Sequence, residues 1–199
     1  MSNWWNDFYT KEAKKRGFVA RSYFKLEELD KRFNLFGDRP KAIMDIWCAP
    51  WSRLQYCSGY MLDKDIDGTI VWFDLKKTTL QLAYTHAYEQ DIKERDLVRD
   101  IIENHSTTFD IILSDMAPDT IGTSDIDALR SIWLIEKTLR IYDQYLKEWG
   151  KFAIKVFMWP GFDELLRELK DKYGSKNVVT FKPKSCRKKS KETYIVKKM

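Results

Sequence analysis

The pattern that most restricts this 199-residue chain is the alternation of short apolar runs with stretches of helical periodicity. Residues 42–46, 69–73, 109–113, 151–157 and 177–181 each read as a buried strand, and 193–196 as a last edge strand. Between them, apolar spacing predicts helices over 22–36, 52–62, 91–103, 125–146 and 162–173, with Ser22 placed to cap the first. Alternation of this kind implies an α/β fold, a mostly parallel sheet with helices on both faces. Ligands in such sheets bind beyond the carboxyl ends of the strands. Three of the runs end at or beside a carboxylate, Asp45, Asp74 and Asp115, which puts three acids on one rim. With no repeat, linker or second core pattern, residues 1–199 are expected to form a single domain, with a basic helical region at 1–36 and a basic segment at 182–199.

Charge is segregated along the chain. Residues 1–32 hold 8 Lys/Arg and 5 Asp/Glu, and residues 182–199 hold 8 and 1, which leaves 19 and 24 for the acidic middle. If the two basic ends meet in space they form one positive surface suited to phosphates; solubilising tails would give the same count. Hydrophobic residues at 44% and charged residues at 33% exclude a disordered chain. No apolar stretch approaches the roughly 20 residues of a membrane span. The opening MSNWWNDFYTKEAKK lacks the apolar core of a secretory signal. Cys48, Cys57 and Cys186 have no metal-type spacing, so neither a zinc site nor a disulfide scaffold is expected, and a cytoplasmic location is.

Lys155 interrupts the apolar strand FAIKVFMW. A desolvated lysine has a lowered pKa and can serve as a general base; a strand-end lysine reaching for water is the plain alternative. The first strand leads through MDIWCAPWSR into a helix, the frame of a nucleotide-type cofactor site. Such a loop ordinarily carries glycine because the ligand touches backbone, yet Trp47 and Trp51 stand there. Asp74 fits an acceptor for ribose hydroxyls and equally a helix cap or surface carboxylate. Asp115 opens SDMAPDTIGT, either as a rim acid or as a solvated turn residue. Lys25 and Glu192 are ordinary charges by themselves, and His86 and His105 show no partner pattern.

Taken in order, DFYTKEAKKRGFVARSYFKLEELDKRFNLF, MDIWCAPWSRLQYC, SDMAPDTIGT, KFAIKVFMWPGFDELLREL and FKPKSCRKKSKETYIVKK resemble the FtsJ (RrmJ) family of ribose 2′-O-methyltransferases, from about residue 6 to 198. The resemblance implies a Rossmann-like fold, S-adenosylmethionine as cofactor and methylation of a uridine 2′-hydroxyl in large-subunit ribosomal RNA. Related members act on transfer RNA. The family's catalytic lysine, aspartate, lysine and glutamate fall on Lys25, Asp115, Lys155 and Glu192. Its cofactor positions fall on Asp45, the loop around Trp47 and Trp51, Arg53, Asp74, Asp91 and Asp115. No metal is implied, and the expected partner is ribosomal RNA or the large subunit, met by a monomer away from any membrane. A catalytically impaired RNA-binding protein of the same fold, or a generic nucleotide-dependent enzyme, are the other readings.

One departure recurs. Trp47, Trp51, Trp72, Trp149 and Trp159 stand where the family favours a small residue, usually glycine, and Trp133 is a further candidate. With those five as glycine, the present 8 Gly and 8 Trp become 13 and 3, near the roughly 14 Gly of average composition. Two explanations compete: UGA glycine codons read as tryptophan, or a diverged protein whose cofactor pocket is filled. Either way, the chain as written is expected to bind S-adenosylmethionine poorly.

Overall fold

The computed structural model describes residues 8–37, 39–47, 50–116, 124–158, 161–187 and 189–198. Seven strands form one sheet in the order β3-β2-β1-β4-β5-β7-β6. They are β1 (Ala42–Ile46), β2 (Thr69–Asp74), β3 (Thr85–Glu89), β4 (Phe109–Ser114), β5 (Leu146–Phe157), β6 (Val178–Phe181) and β7 (Glu192–Lys197). The helices are α1 (Phe8–Lys15), α2 (Ser22–Phe33), α3 (Ser52–Asp63), α4 (Arg95–Glu103), α5 (Ser124–Tyr145) and α6 (Phe162–Tyr173). Strands β1 to β5 run parallel, and β7 runs antiparallel to both of its neighbours.

The sheet is covered on both faces because alternate residues of the central strands are apolar on both. Met44, Ile46, Val71, Phe73, Ile112, Phe152 and Ile154 pack with Val98 and Ile102 of α4, Leu134 and Ile141 of α5, and Leu165 and Leu169 of α6. Ile43, Ile70, Trp72, Ile111, Leu113 and Ala153 pack with Leu26 and Leu29 of α2 and Leu54 and Met61 of α3. Period-two alternation thus sends Asp45, between Met44 and Ile46, to the face that α2 and α3 cover.

Three expectations are corrected. The run at 193–196 is an interior strand: β7 lies between β5 and β6, and β6 forms the edge. Ser22 is not a cap, because Arg21 holds that place with helical dihedrals, while the Ser22 hydroxyl is buried against that of Ser52 at 2.5 Å. The fourth helix starts at Arg95 rather than Asp91, because Asp91 turns the chain by accepting the backbone N–H of Lys93 at 3.0 Å. Within the basic region expected to be helical, α1 is separate from α2, and β3 is a strand that the apolar runs do not include.

Candidate active site

Helix α2 supplies Lys25, the residue after β4 is Asp115, the carboxyl-terminal part of β5 supplies Lys155 and the first residue of β7 is Glu192. Antiparallel pairing sets Lys155 opposite Tyr194 and Phe157 opposite Glu192, so β7 returns the last basic segment to the carboxyl end of the sheet. There the four residues converge. Lys25 Nζ pairs with Glu192 Oε1. Lys155 Nζ lies 3.3 Å from Asp115 Oδ1 and donates to the Asp115 carbonyl at 2.5 Å. The Tyr194 hydroxyl stands 3.0 Å from Asp115 Oδ1 and 3.3 Å from Glu192 Oε1, one proton between two carboxylates. Tyr194 was missed in the sequence, although its place two residues after Glu192 puts both side chains on one face of a strand.

The two lysines are driven apart in acidity. Burial pulls the Lys155 ammonium below the usual lysine range; the Lys25 and Arg53 cations add to this, against the Asp115 and Glu192 carboxylates. Burial acts on Lys25 too, but Asp115 and Glu192 outweigh it and hold that ammonium above the ordinary value. Burial would raise the Asp115 carboxyl, yet the Lys155, Arg53 and Lys25 cations bring it well below the usual carboxylate range. Titratable groups separated in this way suit one lysine to accept a proton while the other stays charged.

Beside the quartet opens a cleft of about 500 Å³, lined by Lys25, Asp115 and Glu192 and by Arg21, Arg187 and Lys189 from the two basic regions. The charged ends therefore do meet in space.

The remaining predicted residues line the same sheet edge. Asp45 is fully buried and accepts from Arg53 Nη2 at 2.6 Å; the same nitrogen donates to the Trp47 carbonyl at 3.1 Å, and Arg53 Nη1 stands 4.0 Å from Asp115 Oδ1. Arg53 thereby ties the loop after β1 to the quartet. Asp74 closes β2, buried, and Asp91 follows β3; their carboxylates accept the backbone N–H of Lys76 at 2.8 Å and of Lys93 at 3.0 Å. Among the described residues no His, Cys, Asp or Glu cluster suits a metal ion. Cys48 and Trp159, and residues 117–123 of the loop after Asp115, lie outside the described residues.

Trp47 and Trp51 both sit at φ 61°. Of the other non-glycine residues with positive φ, Asn34 and Asp65 tolerate the left-handed region, whereas tryptophan is strained there. The Trp51 and Trp72 indole nitrogens are buried without a hydrogen-bond partner. Trp149 lies 79% exposed in β5. The carboxylates at the strand ends fit a nucleoside cofactor, and the backbone at Trp47 and Trp51 holds the left-handed conformation that glycine favours. The two indoles are the feature that works against such a ligand.

The model of the FtsJ-like methyltransferase family matches residues 18–199. A ribosomal RNA large subunit methyltransferase E of Desulfatibacillum aliphaticivorans is 39% identical across 98% of this chain and 90% of its own. One from Bdellovibrio bacteriovorus is 36% identical across 96% and 94%. A crystal structure from Plasmodium falciparum, described as that of a ribosomal RNA methyltransferase, is 26% identical, with a TM-score of 0.75 over 90% of this chain and 96% of that one. Human methyltransferase-like protein 13, solved with SAH, shares the fold at 12% identity, with a TM-score of 0.51 over 85% and 81% of the two chains. The fold is thus the Rossmann-like one of methyltransferases that use S-adenosylmethionine, and the chain belongs to the FtsJ-like methyltransferase family.

Proposed function

We propose that the protein methylates a ribose 2′-hydroxyl, that of a uridine, in large-subunit ribosomal RNA. The observation that carries the reading is the convergence of Lys25, Asp115, Lys155 and Glu192 from four separate elements, with the two lysines shifted in opposite directions. The names of the relatives support the substrate.

A ribose hydroxyl is a poor nucleophile at neutral pH. S-adenosylmethionine, when bound, supplies a methyl group on a positively charged sulfur. Asp74 would take its ribose hydroxyls, Asp91 its base, and the backbone of the loop from Trp47 to Trp51 its remaining polar groups. Lys155, eased toward the neutral form, accepts the proton of the 2′-hydroxyl. Lys25 stays cationic and steadies the charge that develops on the ribose oxygen. Asp115 and Glu192 hold the two amines in place, and the Tyr194 hydroxyl bridges the two carboxylates. The basic cleft grips the RNA backbone. The reading includes a monomer that works in the cytoplasm on ribosomal RNA or the large subunit.

Transfer of labelled methyl groups to unmodified ribosomal RNA or large subunits, followed by mapping of 2′-O-methyl sites, tests the proposal. Lys155→Ala and Asp115→Ala should lower turnover about 10²–10⁴-fold with the fold intact. Normal turnover by either variant would remove the catalytic assignment.

A further inference from the structure

Helix α2 carries more than Lys25 on its cleft-facing side. Arg21, Lys25 and Glu28 are spaced four and three residues apart, which places them on one face. The Glu28 carboxylate accepts the backbone N–H groups of Lys184 at 2.6 Å and Ser185 at 2.9 Å. The Arg21 guanidinium donates to the Ser185 carbonyl at 2.6 Å. Lys25 pairs with Glu192. One helix face therefore holds the segment 184–192 at both ends: its start by charge-assisted bonds to backbone, its finish through Glu192. Between those anchors, Arg187 and Lys189 enter the lining of the cleft.

Geometry of this kind has a consequence for binding. An exposed loop rich in cations repels itself and holds no fixed arrangement on charge alone. Bonds from a carboxylate to two successive backbone N–H groups are strong for their number and fix backbone rather than side-chain position. The partners of Glu28 lie at the base of the loop, not in the cleft, so its effect on the cleft passes through Arg187 and Lys189.

We infer that Glu28, with Arg21, is a positioning residue for the RNA substrate: it sets Arg187 and Lys189 in register with the phosphodiester backbone leading to the reactive ribose. The inference rests on the proposed function and deepens it.

The test uses the full chain and a ribosomal RNA fragment, with RNA binding measured directly across a salt series beside turnover. Glu28→Ala should raise the RNA dissociation constant and KM about tenfold and make the slope of log affinity against log salt shallower by about one to two, the contribution of one or two phosphate contacts. Its kcat and S-adenosylmethionine affinity should stay within about threefold of the parent, since each tenfold is about 1.4 kcal/mol and no catalytic contact is lost. Glu28→Gln, which keeps an acceptor oxygen, should recover part of the affinity. Lys189→Ala should flatten the same slope, and combining it with Glu28→Ala should cost less than the two effects added. A Glu28→Ala protein with parental RNA affinity and salt slope would overturn the inference. So would one that loses kcat and cofactor binding in equal measure, the mark of a residue needed only for folding. Parent protein that binds no RNA would overturn the proposed function along with the inference.

Discussion

Replacing Trp47 and Trp51 together by glycine is the most informative perturbation of the cofactor side. Both residues stand at φ 61°, where an L side chain costs about 1–2 kcal/mol and glycine nothing comparable. The folded loop already holds this shape, so relief of the strain at both positions should stabilise the double glycine variant by roughly 2–4 kcal/mol. Removal of the two indoles from the cofactor loop should also tighten S-adenosylmethionine binding at least tenfold over the parent, about 1.4 kcal/mol or more. Calorimetric titration reads this directly. Alanine at both sites removes the indoles but keeps the Cβ strain, so its affinity should approach that of the glycine form while its stability stays near the parent's. Equal, tight binding by the tryptophan and glycine forms would refute the reasoning. The codons decide the origin of the residues separately: UGG at positions 47, 51 and 159 would end the reading of UGA as glycine, and the intact mass of the protein from its own cells would show which residue is inserted.

Other predictions follow from the charged cluster. Because burial and neighbouring cations lower the Lys155 pKa, single-turnover methyl transfer should rise with pH along the titration of that amine. Lys25→Gln, by removing one of those cations, should move the profile to higher pH, and an unmoved profile would exclude the coupling. Tyr194→Phe takes the donor from between Asp115 and Glu192, and should lower kcat about tenfold, the equivalent of one buried hydrogen bond, with an unchanged circular dichroism spectrum. Asp115 has its folded-state pKa depressed, so its contribution to stability is complete above the unfolded aspartate value of about 3.9 and is lost as pH falls through the folded one. Thermal melts against pH should therefore show a shallower acid limb for Asp115→Asn, together with lower stability at neutral pH.

How much of this was legible in sequence differs from element to element. Strand β1 was readable because all five of its residues are buried and apolar or ion-paired. Strand β3 was not: Thr85–Glu89 lies at the sheet edge, half exposed, and shows no apolar run. Helix α1 has eight residues and one buried side chain, Ala13, too little for a periodic signal. The interior position of β7 depends on strand direction and on pairing with a distant partner, neither of which local hydropathy encodes. Within the site, Lys155 stood out as a charge in an apolar strand. Lys25 and Glu192, 167 positions apart, are unremarkable until the fold pairs them, and only the motif resemblance singled them out. The latch of Glu28 on backbone N–H groups left no trace, since such acceptors make no demand on the identity of the residues that donate.

The reversed direction of β7 sets an order to thermal failure. Five parallel strands carry the nucleotide-type frame, whereas the hairpin of β6 and β7 adds Tyr194 and Glu192 from outside it. Fraying that begins at the edge strand β6 and reaches β7 would dismantle the reactive centre while the parallel part of the sheet stays folded. On gentle heating, turnover should disappear at a temperature where cofactor affinity and most secondary structure persist.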